Sequence, residues 1–187
     1  ASLIVVDGFM GEGKTTLGVE VGDFIMSLKN HGIIDFSLQL GRGGEEFQSK
    51  MRQCFESRLP VAIYDEAGDF NRRGSMTKFN ALLNRTFETF RAFQIIPILC
   101  LPCFAVLDDN LFEKGIPRLL LNVHNRTKTQ GSIRGYSLWR MYYLKRKMKE
   151  ITVRPQAYDM VEPNFRAHFL DLPKERSEEL DKITTKA

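Results

Sequence analysis

The residues Gly8-Phe9-Met10-Gly11-Glu12-Gly13-Lys14-Thr15 fit the spacing G-x-x-x-x-G-K-[ST], and the apolar run Leu3-Ile4-Val5-Val6, closed by Asp7, leads directly into them. A buried strand that opens into such a loop and continues as a helix surrounds an anion with backbone N–H groups at a helix N-terminus. Few folds supply that geometry, so the motif constrains the first thirty residues. The candidate phosphate-binding residues are Gly8, Gly11, Glu12, Gly13, Lys14, Thr15 and Thr16. In this pattern Lys14 reaches the outer phosphates of a nucleotide and the Thr15 hydroxyl ligates Mg²⁺. Lys14 is also a catalytic candidate through the charge it places there.

The following segments alternate. A helix is expected from Lys14 to about Leu28, with Leu17, Val21, Phe24, Ile25 and Leu28 on one face. A weak strand candidate lies near Ile33 to Leu40, followed by the breaker Gly41-Arg42-Gly43-Gly44 and a short helix over Glu45 to Ser57. Val61-Ala62-Ile63-Tyr64 reads as a buried strand, residues 76–93 as an amphipathic helix, and 95–101 and 118–124 as further strands. Tyr136 to Leu144 reads as one more strand after a loop from Thr127 to Gly135. This order implies an α/β fold of three layers, with a mainly parallel central sheet covered on both faces and an antiparallel hairpin closing one edge. Residues 1–173 are read as one domain, and 174–187 as a charged helical tail or the start of a further region.

Composition bounds the remainder. At 187 residues and 43% hydrophobic, the chain is long and apolar enough for one domain with a real core. It contains no apolar run long enough for a membrane span, and the N-terminal run lacks the basic start of a signal peptide. The expected location is the cytoplasm, of a cell or of a virus's host. Cys54, Cys100 and Cys103 are too few and too scattered for a disulfide framework. The C-x-x-C of Cys100 and Cys103 has no second Cys/His pair nearby, which favours thiols buried at a strand end.

A second chemical signal is Asp65-Glu66, delivered by the strand 61–64 to the sheet edge at which the phosphate loop opens. Asp65 can complete the Mg²⁺ shell beside Thr15, and Glu66 can orient or deprotonate an attacking water. Together the two motifs describe a P-loop NTPase of the additional-strand, catalytic-glutamate type.

The stretch from Asn84 to Arg126 extends this picture. It holds Arg91 ahead of the strand 95–101, then Leu107-Asp108-Asp109-Asn110-Leu111, then a strand followed by Arg126. In this pattern, over about residues 1–145, the chain resembles the HerA/FtsK superfamily of DNA-pumping ATPases. It is also similar to phage-assembly ATPases of the zonula occludens toxin family. The superfamily resemblance implies ATP as the nucleotide and an oligomeric ring. It also implies that Arg91 or Arg126 reaches a neighbouring subunit's γ-phosphate. Superfamily members usually carry a polar residue, most often Gln, at the tip of the strand 95–101. This chain has Pro102 there, so either another residue such as Asn71 or Asn84 senses phosphate or hydrolysis is not coupled to movement.

Charge is segregated. Residues 71–154 hold 16 Lys or Arg against 5 Asp or Glu, a net +11 in a chain whose total is only +4. A surface of that sign suits a polyanion, and its densest part, Lys145-Arg146-Lys147-Met148-Lys149, follows Tyr136, Trp139, Tyr142 and Tyr143, aromatics able to stack on bases. The expected function is a Mg²⁺-dependent ATPase that moves or packages DNA as an oligomeric ring. The alternatives are an assembly or secretion ATPase at a membrane, a small-molecule or nucleotide kinase, and a nucleotide switch of feeble turnover.

Overall fold

A computed structural model of the chain describes residues 2–65, 80–86, 94–127 and 129–184. Among them, seven strands form one sheet: β1 (Leu3–Asp7), β2 (Leu40–Arg42), β3 (Val61–Asp65), β4 (Ile96–Leu101), β5 (Pro117–His124), β6 (Gln130–Ser137) and β7 (Phe165–Leu170). Across the sheet the order is β2-β3-β4-β1-β5-β6-β7. The first five strands in that order pair in parallel, whereas β5 with β6 and β6 with β7 are antiparallel. The helices are α1 (Lys14–Leu28), α2 (Phe36–Gln39), α3 (Gly44–Glu56), α4 (80–86), α5 (Asp109–Glu113), α6 (Leu138–Glu150), α7 (Ala157–Met160) and α8 (Lys174–Thr184). No helix of the described residues is long and apolar enough to cross a membrane.

The inner strands are continuous apolar runs because both of their faces are covered. Val5, Ala62, Tyr64, Leu99 and Leu120 point into one core, shared with Phe47 and Met51 of α3 and with Met141, Leu144 and Met148 of α6. Their neighbours Val6, Val61, Ile63, Ile98 and Leu121 point into the other, shared with Leu17 and Val19 of α1, Phe36 of α2 and Leu180 of α8. Three layers result, each fully buried Val, Leu or Ile contributing about 1.5–3 kcal/mol.

Three expectations need correction. The buried face of α1 is formed by Leu17, Gly18, Val19, Gly22 and Met26, while Phe24 and Leu28 are exposed. Two glycines one turn apart set this face, since a Cβ at Gly18 would stand 2.7 Å from Cys100 Sγ and one at Gly22 2.9 Å from Ile34 Cγ1. The helix lies against the sheet on its smallest residues, which a count of large apolar residues overlooks. Second, the hairpin strand is Gln130–Ser137, and the chain from Leu138 onward is helical. The density of Tyr, Trp and Leu suggests a strand, but Met141, Leu144, Lys145 and Met148 are buried at helical spacing. Third, β2 is shorter and later than expected, because Asp35 caps α2 by accepting from the Ser37 N–H and turns Phe36–Gln39 into a helix.

Edge strand β7 carries no sequence signal of its own, with most of its residues exposed or half-buried. Its rings explain two glycines of β6. A Cβ at Gly131 would collide with the Phe169 ring, and one at Gly135 with the Phe165 ring, so each aromatic covers bare backbone on the neighbouring strand.

Candidate nucleotide site

The loop between β1 and α1 opens at the carboxyl edge of the parallel strands, where sheets of this kind bind ligands. Gly11 and Gly13 have φ of 81° and 83°, left-handed values that favour glycine. Gly13 is the N-cap of α1 and no side chain caps it, so the first turn's amides are open to an anion. Lys14 lies folded on its own loop, with Nζ donating to the carbonyl oxygens of Gly8 at 3.0 Å and Phe9 at 2.9 Å. Glu12 closes the loop from the other side, its Oε2 accepting from the Phe9 N–H at 2.8 Å.

The two sequence signals meet. Thr15 Oγ1 donates to Asp65 Oδ1 at 2.8 Å across a separation of 50 residues. A hydroxyl and a carboxylate in contact beside a phosphate loop are hard oxygen donors of the kind Mg²⁺ takes together with substrate phosphates, so the residues present fit that ion. Glu66, Arg91 and Asn71 lie outside the described residues. Asn84 is in α4, and its buried Oδ1 has no hydrogen-bond partner among the described residues.

Arg126 stands against its own chain's loop. A Cβ on Gly13 would collide with its guanidinium, whose Nη2 is ion-paired with Asp171. Asp171, between β7 and α8, holds the side chain over this loop. Pro102 follows β4 at the same edge and, with Gly8 and Phe9, lines a cavity of about 290 Å³. Cys100 is buried, and Cys103 beside the cavity is half-buried; neither is in a disulfide, and nor is the buried Cys54. Burial drives the Cys100 thiol well above its ordinary range. Among the described residues no cluster of His, Cys, Asp or Glu could hold a metal by itself.

Asp7 has a role that sequence reasoning did not assign. It is 1% exposed, and its carboxylate accepts from the Phe104 N–H at 3.0 Å, from Asn122 Nδ2 at 3.0 Å and from the Tyr158 hydroxyl. One carboxylate thereby ties the end of β1 to the turn after β4, the end of β5 and α7. Burial pushes it up to about 6; the three donors and the Lys14 charge pull it down without cancelling that effect. The available signal was a carboxylate closing an apolar strand, but its partners are remote in sequence.

Strand order, loop and carboxylate together give this chain the P-loop NTPase fold, with β4 inserted between the strand that carries the loop and the strand that carries Asp65. No protein-family model matches the chain, and no curated protein matches it. Among solved structures it is similar to the N-terminal domain of zonular occludens toxin from Neisseria meningitidis, at 13% identity and a TM-score of 0.44, over 95% of this chain and 97% of that one. It is also similar to a KaiC-like protein from Pyrococcus horikoshii OT3, at 12% identity and a TM-score of 0.42, over 73% and 79% of the two chains.

Proposed function

We propose that the chain is a Mg²⁺-dependent ATPase that acts on DNA as an oligomeric motor. The observation that carries the Mg²⁺-dependent ATPase part of this reading is the 2.8 Å contact of Thr15 Oγ1 with Asp65 Oδ1 beside the phosphate loop. Thr15 and Asp65 would hold Mg²⁺, which when bound would supply positive charge to neutralise what develops on the phosphates during transfer. The loop amides and Lys14 take the β- and γ-phosphates, Lys14 leaving the carbonyls of Gly8 and Phe9 to do so. Glu66, one residue beyond Asp65, orients the attacking water and accepts its proton. Arg126 supplies a cation from the same chain, exchanging Asp171 for phosphate, and the role in trans falls to Arg91. The +11 segment over 71–154 supports DNA as the polyanion. Ring assembly follows from the trans residue, since a neighbour must contribute it.

Glu66→Gln is expected to keep ATP binding and lose hydrolysis by about 10²-fold or more; a retained rate removes Glu66 as the base. Hydrolysis is expected to rise on addition of DNA at low salt. Absence of stimulation there contradicts the motor.

The cavity beside Gly8 and Phe9 favours a second reading, a small-molecule kinase whose acceptor sits next to the transferred phosphate. ATP consumption that requires a small hydroxyl compound and ignores DNA would select it.

A further inference from the structure

Helix α6 carries side chains that its own packing does not use. Its inner face is closed by Met141, Leu144, Lys145 and Met148. On the outer face Trp139 is 81% exposed, Tyr142 47% and Tyr143 50%, and Arg146 follows on the same stripe. The spacing i, i+3, i+4, i+7 aligns these four along about 10 Å of helix. Three large aromatics in one exposed row mark an interaction surface, and Lys147 Nζ stands over the Tyr143 ring at 5.7 Å from its centroid.

The cations beside them are not all free. Lys145 is buried, donates to the Leu107 carbonyl and pairs with Asp109 at 2.6 Å. Lys149 pairs with the same Asp109 at 2.8 Å, and Lys147 with Glu150 at 2.8 Å. Arg146 is exposed. Four cations therefore face two carboxylates, and the helix keeps a net positive charge beside its aromatic row.

We propose that the stripe Trp139, Tyr142, Tyr143 and Arg146 of α6 is a stacking platform for single-stranded DNA. The inference deepens the DNA reading above and rests on it, adding the contacting element and the strandedness. Aromatic faces take up unstacked bases whatever their identity, while an adjacent cation follows the backbone phosphates. Duplex bases already stack on one another and offer no face to such a row. A membrane-surface helix buries a broad apolar face of Leu, Phe and Trp, whereas the buried Met141, Leu144 and Met148 of α6 face the core and its outward row has Trp139 with two tyrosines.

Trp139 is the only tryptophan in the chain, so its emission reports on this stripe alone. Titrating the whole protein with poly(dT) at low salt is expected to quench that emission, with affinity that falls as salt rises. The double variant Tyr142→Ala, Tyr143→Ala is expected to weaken binding by about tenfold or more, and Arg146→Ala to lower the salt dependence by about one phosphate contact. Folding of the variants is checked by far-UV circular dichroism. No quenching by poly(dT), equal affinity for a duplex, or undiminished affinity in a folded double variant overturns the proposal. So does a blue shift on anionic phospholipid vesicles without a response to DNA, which marks a membrane surface. A shift that depends on protein concentration alone marks a second copy of the chain and also overturns it. ATP binding is measured by calorimetry on the same sample. A failed platform with intact ATP binding leaves the nucleotide reading standing, and loss of ATP binding fails that reading separately.

Discussion

Glu12 places a carboxylate where the loop is arranged to accept an anion. Its bond to the Phe9 N–H, at 2.8 Å, occupies an amide next to the phosphate position and adds a like charge to it. Glu12→Gln is expected to tighten ATP binding by about three- to tenfold, about 1 kcal/mol, as measured by calorimetric titration; an unchanged or weaker affinity would show that the carboxylate does not compete. Asp7 makes a different prediction. With its carboxyl raised to about 6 from an ordinary 3.8, the native state holds this proton more tightly than the unfolded chain. Its favourable contribution is complete below about pH 4 and is lost as pH rises through about 6, costing roughly 3 kcal/mol in all. Urea unfolding between pH 4 and pH 7 should therefore show wild type losing stability relative to Asp7→Asn as pH rises, and parallel curves would contradict this. The local residues of the site were legible: Gly8 to Thr15 and Asp65 declare themselves by spacing and by the strands that precede them. Asp7, Asn122, Tyr158 and Asp171 were not, because each acts through a partner that only the fold brings near.

Among the elements, the inner strands could be read because burial on both faces leaves an unbroken apolar run, and β1, β3, β4 and β5 all stand close to where those runs lie. Elements whose packing depends on a neighbour were harder. The inward face of α1 is set by Gly18 and Gly22, which carry no hydrophobic signal, and β7 exists through its pairing with β6. Gly18→Ala tests that account of α1. Alanine gains about 1 kcal/mol in helix propensity, yet its Cβ would meet Cys100 Sγ at 2.7 Å in a closed core. A net loss of about 1–2 kcal/mol in urea unfolding is expected, and a more stable variant would mean that the helix does not approach the sheet this closely. In α6 the aromatic content pointed to a strand, and only the helical spacing of the buried Met141, Leu144 and Met148 identifies the element.

In the molecule as a whole, one sheet edge gathers the chemistry. The phosphate loop, Asp65, Arg126 and the cavity beside Pro102 all stand at the ends of β1, β3, β4 and β5, while the antiparallel strands β6 and β7 widen the sheet on the side away from Asp65. The segment after β7 spans the layer that carries α1. Asp171 meets Arg126 at the loop, and Arg176 of α8 pairs with Asp23 of α1 at 3.0 Å. The Mg²⁺-dependent nucleotide site is the claim on which the rest depends, and it is tested most directly by calorimetric titration of ATP, with and without Mg²⁺, into wild type, Lys14→Ala and Asp65→Asn. Wild type is expected to bind ATP more tightly with Mg²⁺, Lys14→Ala to lose binding, and Asp65→Asn to bind while losing most of the Mg²⁺ enhancement. Binding that ignores Mg²⁺ and survives both substitutions would contradict the account.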